Sequence, residues 1–155
     1  MLCLRRLESL PLATVLAGQT SRCLSLQLRD HQEGRRTHEQ MTPMAAGLPR
    51  DDMRELGDYF AKQKLSPQPF TPGTETAQLS KLKTDETLCT LCQSGGFAGQ
   101  KEVPRVQGQR HEYIVKQLFD FYPGRLTNDA GKMTSMSSTS TEAGIENLAL
   151  YFSGL

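Results

Sequence analysis

The sequence predicts an all-α protein built from two small modules in tandem. Three observations carry that expectation. A set of residue types recurs along the chain at a nearly constant offset. Within the recurring stretches the apolar residues fall at helical spacings, and no stretch alternates in the way a half-buried strand does. A proline-rich segment separates the two copies. The chain has 155 residues, no tryptophan and 6% aromatic residues. Two modules this small bury little surface, so each needs a covalent staple, a metal or a cofactor to be stable.

The repeat is read residue by residue. Leu16-Ala17-Gly18-Gln19 aligns with Val106-Gln107-Gly108-Gln109 at an offset of 90 residues. The same offset places Gln27-Leu28 on Gln117-Leu118, Asp30 on Asp120, Gly34-Arg35 on Gly124-Arg125, and Thr37 on Thr127. Two extra residues then enter the second copy. At an offset of 92, Met41 falls on Met133, Met44 on Met136, Leu56 on Leu148, and Tyr59-Phe60 on Tyr151-Phe152.

The elements follow from the pattern. In the first copy, residues 20–31 form an amphipathic helix on Leu24 and Leu28. Asp51-Asp52 open a second helix, their charge suiting its N-terminal dipole, with Met53, Leu56, Tyr59 and Phe60 as its apolar stripe. In the second copy, residues 109–121 are the counterpart of the first helix, with Ile114, Val115, Leu118 and Phe119 on one face. Thr141-Glu142 open the last helix, which buries Ile145, Leu148, Ala149 and Phe152. A Gly-Arg turn and a methionine-bearing loop separate the helices of each pair. Residues 64–80 are expected to be a linker, since Lys64–Gln78 holds three of the eight prolines. The expected division is a first module at 1–63, the linker at 64–80 and a second module at 81–155. Arg5 and Arg6 ahead of Leu10–Ala17 imitate a signal peptide, but Glu8 and Pro11 interrupt it. The repeat explains the same residues as the truncated beginning of a first copy.

Composition excludes several functions. The net charge is +1, too low for a protein that lives by attraction to phosphate, so nucleic acid is not an expected partner. Residues 1–50 carry +3 and the remainder −2. No apolar run approaches the ~18–20 residues of a bilayer span. No Ser/His/Asp order, phosphate loop or zinc-protease motif is present, so the chain is not read as an enzyme. Asp51-Asp52 is a helix start rather than a catalytic carboxylate pair. The Ser/Thr run at 134–141 reads as loop, with phosphorylation an unspecific option.

The chemistry concentrates at the cysteines and methionines. Cys89-Thr90-Leu91-Cys92 is the one CxxC. Zinc wants a second Cys/His pair, which Cys3 and Cys23 do not provide. A thioredoxin-like motif wants a βαβ setting. Haem attachment wants histidine directly after the second cysteine, where this chain has Gln93. A plain disulfide or two inert thiols complete the alternatives. Met41, Met44, Met133 and Met136 form two matching M-x-x-M segments. Flexible core filling and soft ligation of haem iron both suit them. His31 and His38 are expected to face solvent, and His111 to start the helix at 109–121.

Residues 104–152 resemble the haem domain of the di-haem cytochromes c of the c4 type. The features are Pro104, Gly108-Gln109, Tyr113–Leu118, Gly124-Arg125 before Thr127-Asn128-Asp129, Met133 and the closing Leu148–Phe152. The first copy is similar through Leu16–Gln19, Gln27-Leu28, Gly34–Thr37, Met41–Leu48 and Asp51–Phe60. The resemblance implies two tandem cytochrome c-like modules related by a pseudo-twofold axis, one haem c per half, and His and Met axial ligands. It implies Cys89 and Cys92 as haem thioether positions, Gln93 in place of the proximal histidine, and Met133 and Met41 as axial positions on iron. It also implies electron transport with a redox protein or a respiratory or photosynthetic membrane complex, in the periplasm or an organelle intermembrane space or lumen. The departures set a second expectation beside this one. With Gln93 for histidine, and Leu2 and Cys3 where the first motif would end, the chain reads as a haem-depleted interaction subunit. In that case Phe97, Tyr113, Phe119, Phe121, Met133 and Met136 are expected to fill the haem space.

Overall fold

A computed structural model describes residues 14–65, 73–86, 97–122 and 132–155. Seven helices follow in order among them. The first copy contributes α1 (Ser21–Gln32), α2 (Met41–Ala46) and α3 (Arg50–Ala61). The remainder contributes α4 (Thr74–Glu86), α5 (His111–Phe121), α6 (Lys132–Ser138) and α7 (Glu142–Ser153). The described residues hold no strand, and a single antiparallel bridge joins Gln100 to Val103.

Within each copy two long helices pack on each other, α1 on α3 and α5 on α7, with the short methionine helix lying against the first of each pair. Local chemistry fixes their starts. The Thr20 hydroxyl accepts the Cys23 N–H and caps α1, and Thr141 does the same for Gly144 on α7. Asp51 and Asp52 lie in the first turn of α3, as the charge pattern requires. Gly18 and Gly108, equivalent in the repeat, both have φ near +67°. Each sends its N–H to the closing helix of its own copy, Gly18 to Phe60 O at 3.0 Å and Gly108 to Phe152 O at 3.3 Å. A left-handed turn at that place needs glycine.

Three expectations change here. The methionine segments are short helices rather than loops, and α6 takes in the start of the Ser/Thr run. Residues 74–80, expected as linker, are helical: the prolines stop at Pro72, which leaves the next residues free to form α4. This helix packs on α7, where buried Ser80 donates to Asn147 O at 2.8 Å. The stripe expected on α3 is also different. Leu56 is 37% and Tyr59 51% exposed, and the buried positions are Met53 and Gly57. At Gly57 the helices cross so closely that a Cβ would stand 2.6 Å from Ser21 O and 2.7 Å from Ser25 Oγ. The smallest residue, not the most apolar, makes this contact.

The two cores differ. The second copy has a continuous apolar cluster of Phe97, Ile114, Leu118, Ile145, Leu148, Ala149 and Phe152. Phe97 stacks at a tilt on Phe152, centroids 4.9 Å apart, and edge-on to Tyr151. The first copy buries Cys23, Leu24, Ala45 and Met53 together with polar Gln19, Asp30 and His31. Its interior therefore depends on hydrogen bonds and ion pairs, such as Arg35 to buried Asp30 at 2.7 Å.

The modules dock through a reciprocal pair of glutamines. Gln19 receives the Arg105 N–H at 2.6 Å and donates to Arg105 O at 3.0 Å. Gln109 receives the Val15 N–H at 2.8 Å and donates to Val15 O at 2.8 Å. Gln19 and Gln109 are equivalent in the repeat, and so are Val15 and Arg105. Each copy thus does to the other what the other does to it, which is the signature of a pseudo-twofold axis. Thr20 Oγ1 donating to Lys101 O and an Arg22–Glu102 ion pair flank the seam.

Candidate functional site

Met133 is the second residue of α6, which packs on α5. It is half-buried and lies against the apolar cluster of the second copy. Phe97 is inside that cluster and Phe119 packs on its edge. Tyr113 does not join them. Its hydroxyl oxygen accepts from Arg36 Nη2 at 3.2 Å, across the seam between modules. Phe121 is half-buried, while the Met136 side chain lies outside the described residues.

Met41 opens α2 and is half-buried, whereas Met44 is 68% exposed. His38 anchors the start of that helix. Its Nδ1 accepts from the N–H groups of Gln40 at 3.2 Å and Met41 at 3.4 Å, and it is exposed as expected. His31 departs from expectation. It is 5% exposed, and its Nδ1–H donates to Arg36 O at 3.0 Å. Burial first, and the Arg36 guanidinium second, push its pKa below the ordinary histidine value. The amphipathic face of α1 runs to the last turn of the helix and takes His31 inside. His111 starts α5 and lies 3.5 Å from Glu146 on α7.

Cys89, Cys92 and Gln93 lie outside the described residues, as do Leu2 and Cys3. The helix leading to them, α4, ends at Glu86 and is fixed on α7. Cys23, the counterpart of Tyr113, is a buried free thiol whose pKa burial pushes up to about 11, which keeps it unreactive. Among the described residues, no group of three or more His, Cys, Asp and Glu side chains is placed to hold a metal ion.

The donor set agrees with a haem on one side only. A thioether in an apolar setting, as at Met133, suits haem iron. The position after the second cysteine offers the carboxamide of Gln93, which is a poor substitute for imidazole. His31 is buried in the first module, apart from the apolar cluster on which Met133 packs, so it does not stand in for that ligand. A surface cleft lined by Leu26, Arg29, Asp30, Glu33 and Arg35 is charged, and neither Met41 nor Met133 borders it. The residues present therefore do not complete a His/Met pair.

Reasoning from sequence missed the seam residue Arg36. Its Nη1 donates to Gln27, and its Nη2 donates to Gln117 Oε1 at 2.8 Å as well as to Tyr113. The repeat signals its acceptors, where Gln27 and Gln117 align, but not Arg36 itself, whose counterpart is Leu126.

No family model matches the chain. It is 32% identical to cytochrome c4 of Pseudomonas aeruginosa over 149 residues, covering 90% of this chain and 74% of that protein. Its fold matches the crystal structure of reduced recombinant cytochrome c4 from Pseudomonas stutzeri with a TM-score of 0.85 at 29% identity, over 95% of this chain and 87% of the other. The cytochrome c4 structure from Acidithiobacillus ferrooxidans matches with a TM-score of 0.84 at 26% identity, over 95% and 91%.

Proposed function

Because this chain belongs to the cytochrome c4 family, we propose that it works as a component of an electron-transfer chain, a carrier rather than an enzyme. The observation that carries the reading is the docking of both modules in one body that superposes on cytochrome c4 along 95% of the chain. A family likeness confined to one module would carry much less. The partners are a redox protein or a respiratory or photosynthetic membrane complex. The place is the periplasm, or an organelle intermembrane space or lumen. Among the described residues no helix is long and apolar enough to cross a membrane.

Haem c is the family's cofactor. In this chain Cys89 and Cys92 would anchor it in the second module, with Met133 at the axial position. Met41 holds the corresponding place in the first module. The chain's own contribution there is an apolar neighbour: half-buried Met133 packs against the apolar cluster of the second module, which lowers the dielectric on that side of the thioether.

Gln93 favours a second reading, a haem-depleted structural subunit of a respiratory or photosynthetic membrane complex. The two are separated by the visible spectrum of protein isolated from its native source, its pyridine haemochrome and its intact mass. A haem band with added porphyrin mass supports the carrier. A colourless protein at its polypeptide mass overturns it and leaves the subunit.

A further inference from the structure

The seam holds one charged group whose donors reach into both modules. The Arg36 guanidinium contacts Gln27 on α1 and Gln117 on α5, and these two glutamines are equivalent in the repeat. A group that touches both members of a symmetric pair sits at the axis relating them. Its third partner, Tyr113, has buried Cys23 as its counterpart, and by the same offset the counterpart of Arg36 is Leu126. The repeat is thus broken at two places, and both breaks serve one cation. A second arginine at the axis would repel the first. A side chain the size of tyrosine at position 23 would compete with the guanidinium for space, where cysteine does not.

The described partners of the Arg36 guanidinium are neutral oxygens, two amides and a phenol. A half-buried cation bonded to two amides and a phenol is costly to displace, since each lost bond leaves part of the charge unsolvated. Its backbone is held as well: Arg36 N–H donates to Asp30 O at 3.0 Å, and Arg36 O accepts from His31. The guanidinium is presented from a fixed loop.

We propose that Arg36 is the positioning residue of the module pair: one guanidinium on the pseudo-twofold axis, bonded to Gln27, Gln117 and Tyr113, holds the two modules in a single arrangement. The contacts that carry it lie within the chain itself, so it stands apart from the function proposed above.

The test uses the full chain. Scanning calorimetry of the unmodified protein is expected to give one transition, since the modules unfold together. Arg36→Met keeps the side-chain length without the charge, and is expected to split or broaden that transition. Arg36→Lys is expected to restore it in part, because an ammonium reaches fewer of the three acceptors than the planar fork does. The second variant guards against simple misfolding. Gln117→Glu places a carboxylate against the cation and is expected to stabilise the chain by about tenfold in the unfolding constant. That gain is expected to vanish in the Arg36→Met background. Near-ultraviolet circular dichroism of Tyr113, with Tyr113→Phe as reference, is expected to change with Arg36→Met. A single unaltered transition in Arg36→Met overturns the proposal. So does a Gln117→Glu gain of equal size with and without Arg36.

Discussion

Replacing Gly57 with alanine tests the packing of the first module at its tightest point. On helix propensity alone the change should stabilise by about 1 kcal/mol. The crossing of α1 and α3 opposes it. The new Cβ would lie 2.6 Å from Ser21 O and 2.7 Å from Ser25 Oγ. The hydroxyl can rotate away, but the Ser21 carbonyl is backbone, so the helices must part by roughly 0.9 Å to reach ordinary contact near 3.5 Å. That motion strains the Ser25 Oγ to Met53 O bond, now 3.1 Å, a loss of about 1 kcal/mol. Overpacking of this kind costs about 1–3 kcal/mol. With the hydrogen-bond loss added and the propensity gain subtracted, Gly57→Ala is expected to destabilise by about 1–3 kcal/mol. Urea unfolding followed by far-ultraviolet circular dichroism reads this as a lower midpoint at unchanged slope. Adding Ser25→Ala should rescue only part of the loss, because the carbonyl contact remains. A variant as stable as the parent, or more so, would refute the close crossing.

Two further outcomes follow from the same structure. Gly18→Ala and Gly108→Ala should each cost about 1–2 kcal/mol in urea unfolding, since both force a side chain into the left-handed region. Their φ values, 68° and 67°, impose the same strain, and the larger loss is expected at Gly108, whose Cβ would meet Leu65 Cδ2 at 2.8 Å where that of Gly18 meets nothing nearer than 3.6 Å; a neutral result at either would contradict the shared turn. His31 should make stability fall with acid. Its folded pKa is lowered, so the folded state binds fewer protons than the unfolded one. Stability is then full above the unfolded value of about 6.5 and declines as pH falls from there toward the folded value. The urea midpoint measured between pH 7 and 5 should drop, and His31→Gln should flatten the part of the slope that His31 causes.

Much of this architecture is legible in the sequence because a repeat reports twice. The helices at 20–31 and 109–121 stand within two residues of α1 and α5, and α7 starts where Thr141 caps it. What hydropathy misread is contact by small residues. Leu56 and Tyr59 look like a packing stripe, yet Gly57 is the residue at the crossing, because the approach distance is set by what is missing from its side chain. His31, at the end of the helix where solvent is expected, is buried because it lies on the inner face of the last turn of α1. The seam was half legible. Gln19 and Gln109 align by offset, but a one-dimensional pattern cannot say that each grips the backbone of the other copy. Arg36 was hidden by its own asymmetry, since a repeat search discards the positions that differ. Of the site residues, Met133 packs on the apolar cluster of the second copy. Cys89, Cys92 and Gln93 rest on the sequence.

The reciprocal glutamine contact has an ancestry written into it. A surface on which residue i of one copy binds j of the other, and the reverse, is isologous, the kind a homodimer forms with itself. Joining two such copies in one polypeptide replaces association between molecules by closure within one, at an effective concentration on the order of millimolar. Dilution then no longer separates the partners. The halves are also released from identity, because a change in one need no longer appear in the other. A single arginine facing a tyrosine is something a true homodimer could only have twice, and the fused chain could keep it once.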